Sequence, residues 1–230
     1  MPLVELVTSS GLGSLLGMRH ALEPDHLAAV TTLVSDEKNG VRAALLGVCW
    51  GIGHTCSLIA IGAVLVLLRA EMPARASDLF EFAVALMLVG LGLRAIYLAA
   101  RQGSAGPDHV HHHGGLVHRH AGAPAHIHIA AWTLARRPLL VGAVHGLAGS
   151  GALTALVLAT LPTTAARLTY MVLFGLGSTV GMAAMSGVLG WPLARASGNR
   201  GVARAVSFTV GCVSTLLGVA WGYPLIGRLF

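Results

Sequence analysis

The chain alternates long apolar stretches with short polar breaks, and six of the stretches can cross a bilayer core, which takes about 20 helical residues. They cover residues 11–34, 43–68, 79–99, 139–161, 168–193 and 203–225. The first connection, Asp36-Glu37-Lys38-Asn39-Gly40, is a short polar turn, and the second holds Pro73. Pro162-Thr163-Thr164 makes the fourth a tight turn, because proline disfavours helix in the residue before it. The third, residues 101–138, is long and low in complexity. The pattern predicts an all-α polytopic membrane protein with six transmembrane helices.

A weak internal repeat refines that expectation. Gly51-Ile52-Gly53-His54-Thr55 is similar to Gly175-Leu176-Gly177-Ser178-Thr179. His20 precedes His54 by about as many residues as His145 precedes Ser178, and Gly90 and Gly211 fall at matching depth. Two halves of three spans each must run in opposite directions, which predicts two inverted three-helix repeats with a site at their interface. The expected division is residues 1–100, a His-rich segment at 101–138, and residues 139–230.

Composition agrees with a membrane protein. Hydrophobic residues make up 55% of the chain and charged residues only 10%, against about 25% charged in a soluble domain. The net charge of +6 therefore reads as loop topology and not as a nucleic-acid footprint. Arg69, Arg75, Arg167 and Arg228 fall on one side. Lys38, Arg42, Arg101, Arg119, Arg136, Arg137, Arg195, Arg200 and Arg204 fall on the other. The positive-inside rule assigns the second set to the cytoplasm, so that in the cytoplasmic (inner) membrane both termini are expected outside and the His-rich segment on the cytoplasmic side. Cys49, Cys56 and Cys212 lie in apolar runs without disulfide or zinc spacing.

The chemistry concentrates in Arg19-His20-Ala21-Leu22-Glu23-Pro24-Asp25-His26, inside the first span. Each unpaired charge at a helix centre costs roughly 2.5–3.5 kcal/mol on insertion scales, so the cluster reads as functional. Two imidazoles beside two carboxylates point to a divalent metal ion. On a straight helix His20, Glu23 and His26 share an arc of about 120°, and Asp25 falls on the other side. Pro24 removes the N–H that would bond the His20 carbonyl. A break there would swing Asp25 round and expose that carbonyl. His54, in Trp50-Gly51-Ile52-Gly53-His54-Thr55, and His145, in Gly142-Ala143-Val144-His145-Gly146, are lone imidazoles among small residues. The repeat sets them with His20 and Ser178 around one pseudo-twofold axis, which makes both expected metal ligands beside His20, Asp25 and His26. The second half has no Asp or Glu, so a cation near His145 must borrow its negative charge from the first helix. Glu23, Thr55 and Ser178 are expected near the ion. His109, His111, His112, His113, His118, His120, His126 and His128 form a tract with metal affinity but no fixed geometry, in a segment expected to be disordered.

His20-Ala21-Leu22-Glu23-Pro24-Asp25-His26 resembles the H-x-x-x-x-D-H signature of the nickel/cobalt transporter family. Gly53-His54-Thr55 is similar to that family's Gly-His-Ser/Thr element. His145-Gly146-Leu147-Ala148-Gly149-Ser150-Gly151 is similar to its urease accessory nickel permease subgroup. The resemblance implies nickel or cobalt transport, with His20, Asp25 and His26 handling the metal. The signature here sits in the first span, where many members carry it in the second of eight.

The combined reading is a secondary permease for Ni²⁺, with Co²⁺ as a second cargo and a cytoplasmic nickel chaperone as partner. There is no Gly-x-x-x-x-Gly-Lys-Ser/Thr loop for ATP. Import for a nickel enzyme such as urease is favoured over export by the same helix plan. An intramembrane metalloenzyme is disfavoured, because His20 and His26 stand six apart with Pro24 between them and do not reproduce H-E-x-x-H. The chain is therefore expected not to be an enzyme.

Overall fold

The computed structural model describes residues 3–35, 37, 39–101, 109–113, 116–120, 131–196 and 199–230. Its helices are α1 (Leu3–His20), α2 (Pro24–Val34), α3 (Gly40–Leu68), α4 (Ala74–Arg101), α5 (Ala131–Thr160), α6 (Thr164–Ala196) and α7 (Arg200–Leu229). Five of them, α3 to α7, are long and apolar enough to cross a membrane. Large side chains such as Val41, Leu67, Leu68 and Leu216 point outward from them, as lipid-facing surfaces require.

The first expected span is not one helix. It divides into α1 and α2, of 18 and 11 residues. Glu23 takes the extended conformation that proline imposes on its predecessor, with ψ at 149°. The chain closes the end of α1 with tight bonds, from Leu22 N–H to the Arg19 carbonyl at 2.9 Å and from Glu23 N–H to the His20 carbonyl at 3.1 Å. The His20 carbonyl is thus not bare, as a simple proline break would leave it. Glu23 takes up the acceptor that position 24 cannot serve.

The other ends follow local chemistry. Asn39 caps α3 by accepting from Val41 N–H at 2.8 Å, and Asn199 caps α7. Arg69, at φ 52°, ends α3 in the left-handed conformation. The Arg167 guanidinium donates to the Leu161 and Leu158 carbonyls and so covers the end of α5. Within the His-rich segment, β1 (His109–His113) and β2 (Leu116–His120) pair antiparallel, with His109 opposite His120 and His111 opposite His118. That hairpin and the early start of α5 are the departures from the expected structureless connection.

Glycines set the helix crossings. A Cβ on Gly17 of α1 would overlap the Phe174 carbonyl of α6, and one on Gly142 of α5 would overlap the Trp50 carbonyl of α3. Gly177 meets the Ser14 carbonyl as Gly53 meets that of Leu139. In the third pair, Gly92 of α4 and Gly211 of α7 each meet the other's carbonyl. Gly90, expected at matching depth to Gly211, has nothing within 4 Å among the described residues, and it is Gly92 that meets Gly211. Small residues of this kind let membrane helices approach closely. Gly17→Ala and Gly142→Ala are each expected to destabilise by about 1–3 kcal/mol, since backbone cannot yield. Gly90→Ala gains helix propensity and should stabilise by up to about 1 kcal/mol. Melting of the detergent-purified variants checks the contrast.

Candidate metal centre

His54 stands midway along α3, about 21 Å from either end at 1.5 Å per residue. The break between α1 and α2 meets it at that depth. Four imidazoles gather there. The rings of His20 and His26 are 4.5 Å apart, those of His26 and His145 are 4.1 Å apart, and those of His20 and His54 are 5.3 Å apart. His26, His54 and His145 are buried, at 1%, 0% and 2% exposure. Buried imidazoles at mid-bilayer depth have no structural necessity and are costly unless partnered.

Asp25 is the organising group. Its Oδ1 accepts from His26 N–H at 2.9 Å and lies 3.0 Å from His26 Nδ1, and its Oδ2 lies 2.7 Å from His145 Nε2. An ionised carboxylate only accepts, so each of those ring nitrogens must carry its proton. The opposite nitrogens, His26 Nε2 and His145 Nδ1, are then bare lone pairs, and neither has a partner. Glu23 does the same for His20: its Oε2 lies 3.1 Å from His20 Nδ1, which leaves His20 Nε2 free. That nitrogen faces His54 Nε2 at 3.4 Å. Carboxylates that fix an imidazole's tautomer and orientation are a recurrent device behind metal ligands.

Two groups of donors result. His20, His26 and His54 offer nitrogens within 4.8 Å of one another, and Asp25, His26 and His145 form a second group that shares His26. Two nitrogens each about 2.1 Å from one first-row dication can be no more than about 4.2 Å apart. The His20–His54 pair, at 3.4 Å, meets that limit, and the 4.8 Å bound leaves His26 at most about 0.6 Å beyond it.

Of the other expected residues, Glu23 stands behind His20, and the two hydroxyls bond to backbone of neighbouring helices. Thr55 donates to the Gly175 carbonyl at 2.7 Å and lies 3.0 Å from the Thr179 hydroxyl. Ser178 donates to the Gly17 carbonyl at 3.1 Å. Both fasten helices together beside the imidazoles. Glu23 faces a cavity, with its side chain about half exposed. His109, His111, His112, His113, His118 and His120 lie on the two strands, where only the backbone is described, and His126 and His128 lie outside the described residues.

The sequence reading missed two neighbours. Trp50, 1% exposed, sets its ring 5.6 Å from that of His26 and 5.8 Å from that of His145. It lies one helical turn before His54, a spacing that shares a face. Glu81 of α4 lines the same cavity as His20, and an acidic residue inside an apolar span was the available signal. That cavity, of about 840 Å³, reaches Asp25, His26 and His145 from the ends of α5 and α7 and the starts of α4 and α6.

Comparison with known proteins supplies the context. Residues 6–223 match the family model NicO, described as high-affinity nickel-transport protein. The chain is 33% identical over 225 residues to the urease accessory protein UreH of Bacillus sp. (strain TB-90), a match covering 98% of this chain and 95% of that protein. It is 25% identical over 188 residues to the chloroplast protein FOR GROWTH AND FERTILITY 2 of Arabidopsis thaliana, covering 81% of this chain and 48% of that one. No solved structure matches.

Proposed function

The chain belongs to the NicO family of high-affinity nickel-transport proteins, and from that premise we propose that it is a secondary permease that imports Ni²⁺, with Co²⁺ as a second cargo. One observation carries the reading: a broken helix at mid-depth, with His20, His26 and His54 offering nitrogens to one point and Asp25 behind His26. An ion crossing a bilayer must exchange its water for protein donors. Imidazole nitrogens suit borderline first-row dications, and a carboxylate supplies charge without blocking the coordination positions. His20, His26 and His54 are the ligands in this account. Asp25 orients His26, and His145 holds Asp25 from the second half. Glu23 orients His20. The eight tract histidines collect the ion after passage.

The glycine contacts support two inverted repeats. Gly17 on Phe174 and Gly142 on Trp50 are the same crossing seen twice, as are Gly177 on Ser14 and Gly53 on Leu139. In that plan α1 and α2 together form the sixth span. Import is supported by the cavity, which opens among helix ends on the side with fewer basic residues, opposite the His-rich segment. The urease accessory naming of a relative suggests a cytoplasmic nickel enzyme as the destination.

The test is radioactive nickel uptake into proteoliposomes under an inward-negative potential. Saturable accumulation above protein-free vesicles is expected. Equal accumulation in the two, or accumulation only under an outward gradient, would refute import.

A further inference from the structure

Arg19 is unexplained by a permease for a bare cation. It precedes His20 in the last turn of α1, lines the cavity leading to Asp25, His26 and His145, and is exposed within it. Among the described residues, no carboxylate lies within ion-pair distance of it. Glu23, one turn on and on the same face, is engaged with His20 Nδ1. A guanidinium beside a mid-membrane site is costly, and without a partner it repels the ion the site should attract. Its charge at the C-terminal end of α1 offsets the helix dipole, but any basic residue on that turn would do so without facing the cavity.

The cavity is also too large for an ion. Six waters at about 30 Å³ each occupy roughly 180 Å³. The cavity holds about 840 Å³, within the range of about 300–1,000 Å³ typical of small-molecule sites. Its wall mixes one guanidinium with the carboxylates of Glu23, Asp25 and Glu81 and with Leu153, Tyr170 and Phe174. That mixture suits a small organic molecule bearing both charges.

Building on the permease reading, we propose that Arg19 is an anion subsite that receives the metal as a complex with a small carboxylate chelator. The guanidinium fork pairs with a chelator carboxylate in bidentate fashion. The docked complex brings its metal to the His20–His54 pair. Metal–oxygen bonds to the chelator break as metal–nitrogen bonds to the imidazoles form. The chelator then leaves by the same opening as the anion it was before it bound the metal.

The test uses proteoliposomes of the full chain and radioactive nickel at one fixed free Ni²⁺ concentration, set either by citrate or by imidazole, a neutral chelator. Several-fold faster uptake from citrate is expected of the wild type, rising with the concentration of the nickel–citrate complex. Arg19→Gln should lose that increment without lowering the imidazole-buffered rate, while Arg19→Lys retains part of the increment. Equal wild-type rates from the two buffers would overturn the subsite whatever the variants do, as would a citrate increment that survives in Arg19→Gln. Absence of uptake from both buffers would overturn the permease reading, and this inference with it.

Discussion

Asp25→Asn is expected to lower nickel uptake by about 100-fold, at the upper end of what groups behind metal ligands contribute. The substitution preserves shape and most packing, so its effect is chemical. Asp25 now accepts from His26 Nδ1 and His145 Nε2 at 3.0 and 2.7 Å, one imidazole on each oxygen. An asparagine offers one acceptor and one donor. Its NH₂ must face an imidazole nitrogen that has to be bare to receive it, which forces that ring's proton to the opposite nitrogen. If the ring is His26, the proton lands on Nε2, where the metal should bind. If it is His145, Nδ1 is protonated in a buried place with no acceptor. The site also loses its buried negative charge, because Glu23 is half exposed. Uptake and calorimetric nickel binding measure the loss, and melting of the metal-free protein shows that folding survives. Uptake at the wild-type rate would remove Asp25 from the mechanism.

His26→Ala should be at least as severe. His26 is the residue shared by both donor groups, with Nδ1 toward Asp25 and Nε2 unpartnered. Its loss removes a ligand and leaves Asp25 Oδ1 without its imidazole, while His145 keeps hold of Oδ2. Nickel binding should fall by about 100-fold, against about tenfold for His20→Ala, which leaves the Asp25–His26 pair whole. The lost hydrogen bonds on a buried carboxylate cost about 1–3 kcal/mol of stability, which the melting temperature should report. Equal effects of the two substitutions would contradict the central place given to His26.

The break in the first span was legible because proline acts locally: Pro24 lacks a donor and extends Glu23 whatever surrounds it. The long apolar helices were legible for a similar reason, since bilayer thickness constrains each one separately. What could not be read was partnership across the fold. His145 lies 120 residues from Asp25 in sequence; the lack of a carboxylate in the second half pointed it to the first helix, but not to Asp25 over Glu23 or to a direct hydrogen bond. Thr55 read as a residue near the ion because it follows His54, and Ser178 because it is the counterpart of His54 in the repeat. Their hydroxyls instead satisfy the carbonyls of Gly175 and Gly17, a demand visible only once the helices are crossed. That Gly92 and not Gly90 meets Gly211 has the same origin. In a glycine-rich span, which glycine meets a neighbour depends on helix rotation, and rotation is set by packing.

Nickel-edge anomalous diffraction from crystals of the full chain soaked in Ni²⁺ tests the central claim most directly. The account predicts a peak about 2.0–2.2 Å from ring nitrogens of His20, His26 and His54, with the Asp25 carboxylate behind it and not touching it. A peak confined to the His-rich segment, or bound through carboxylates alone, would contradict it.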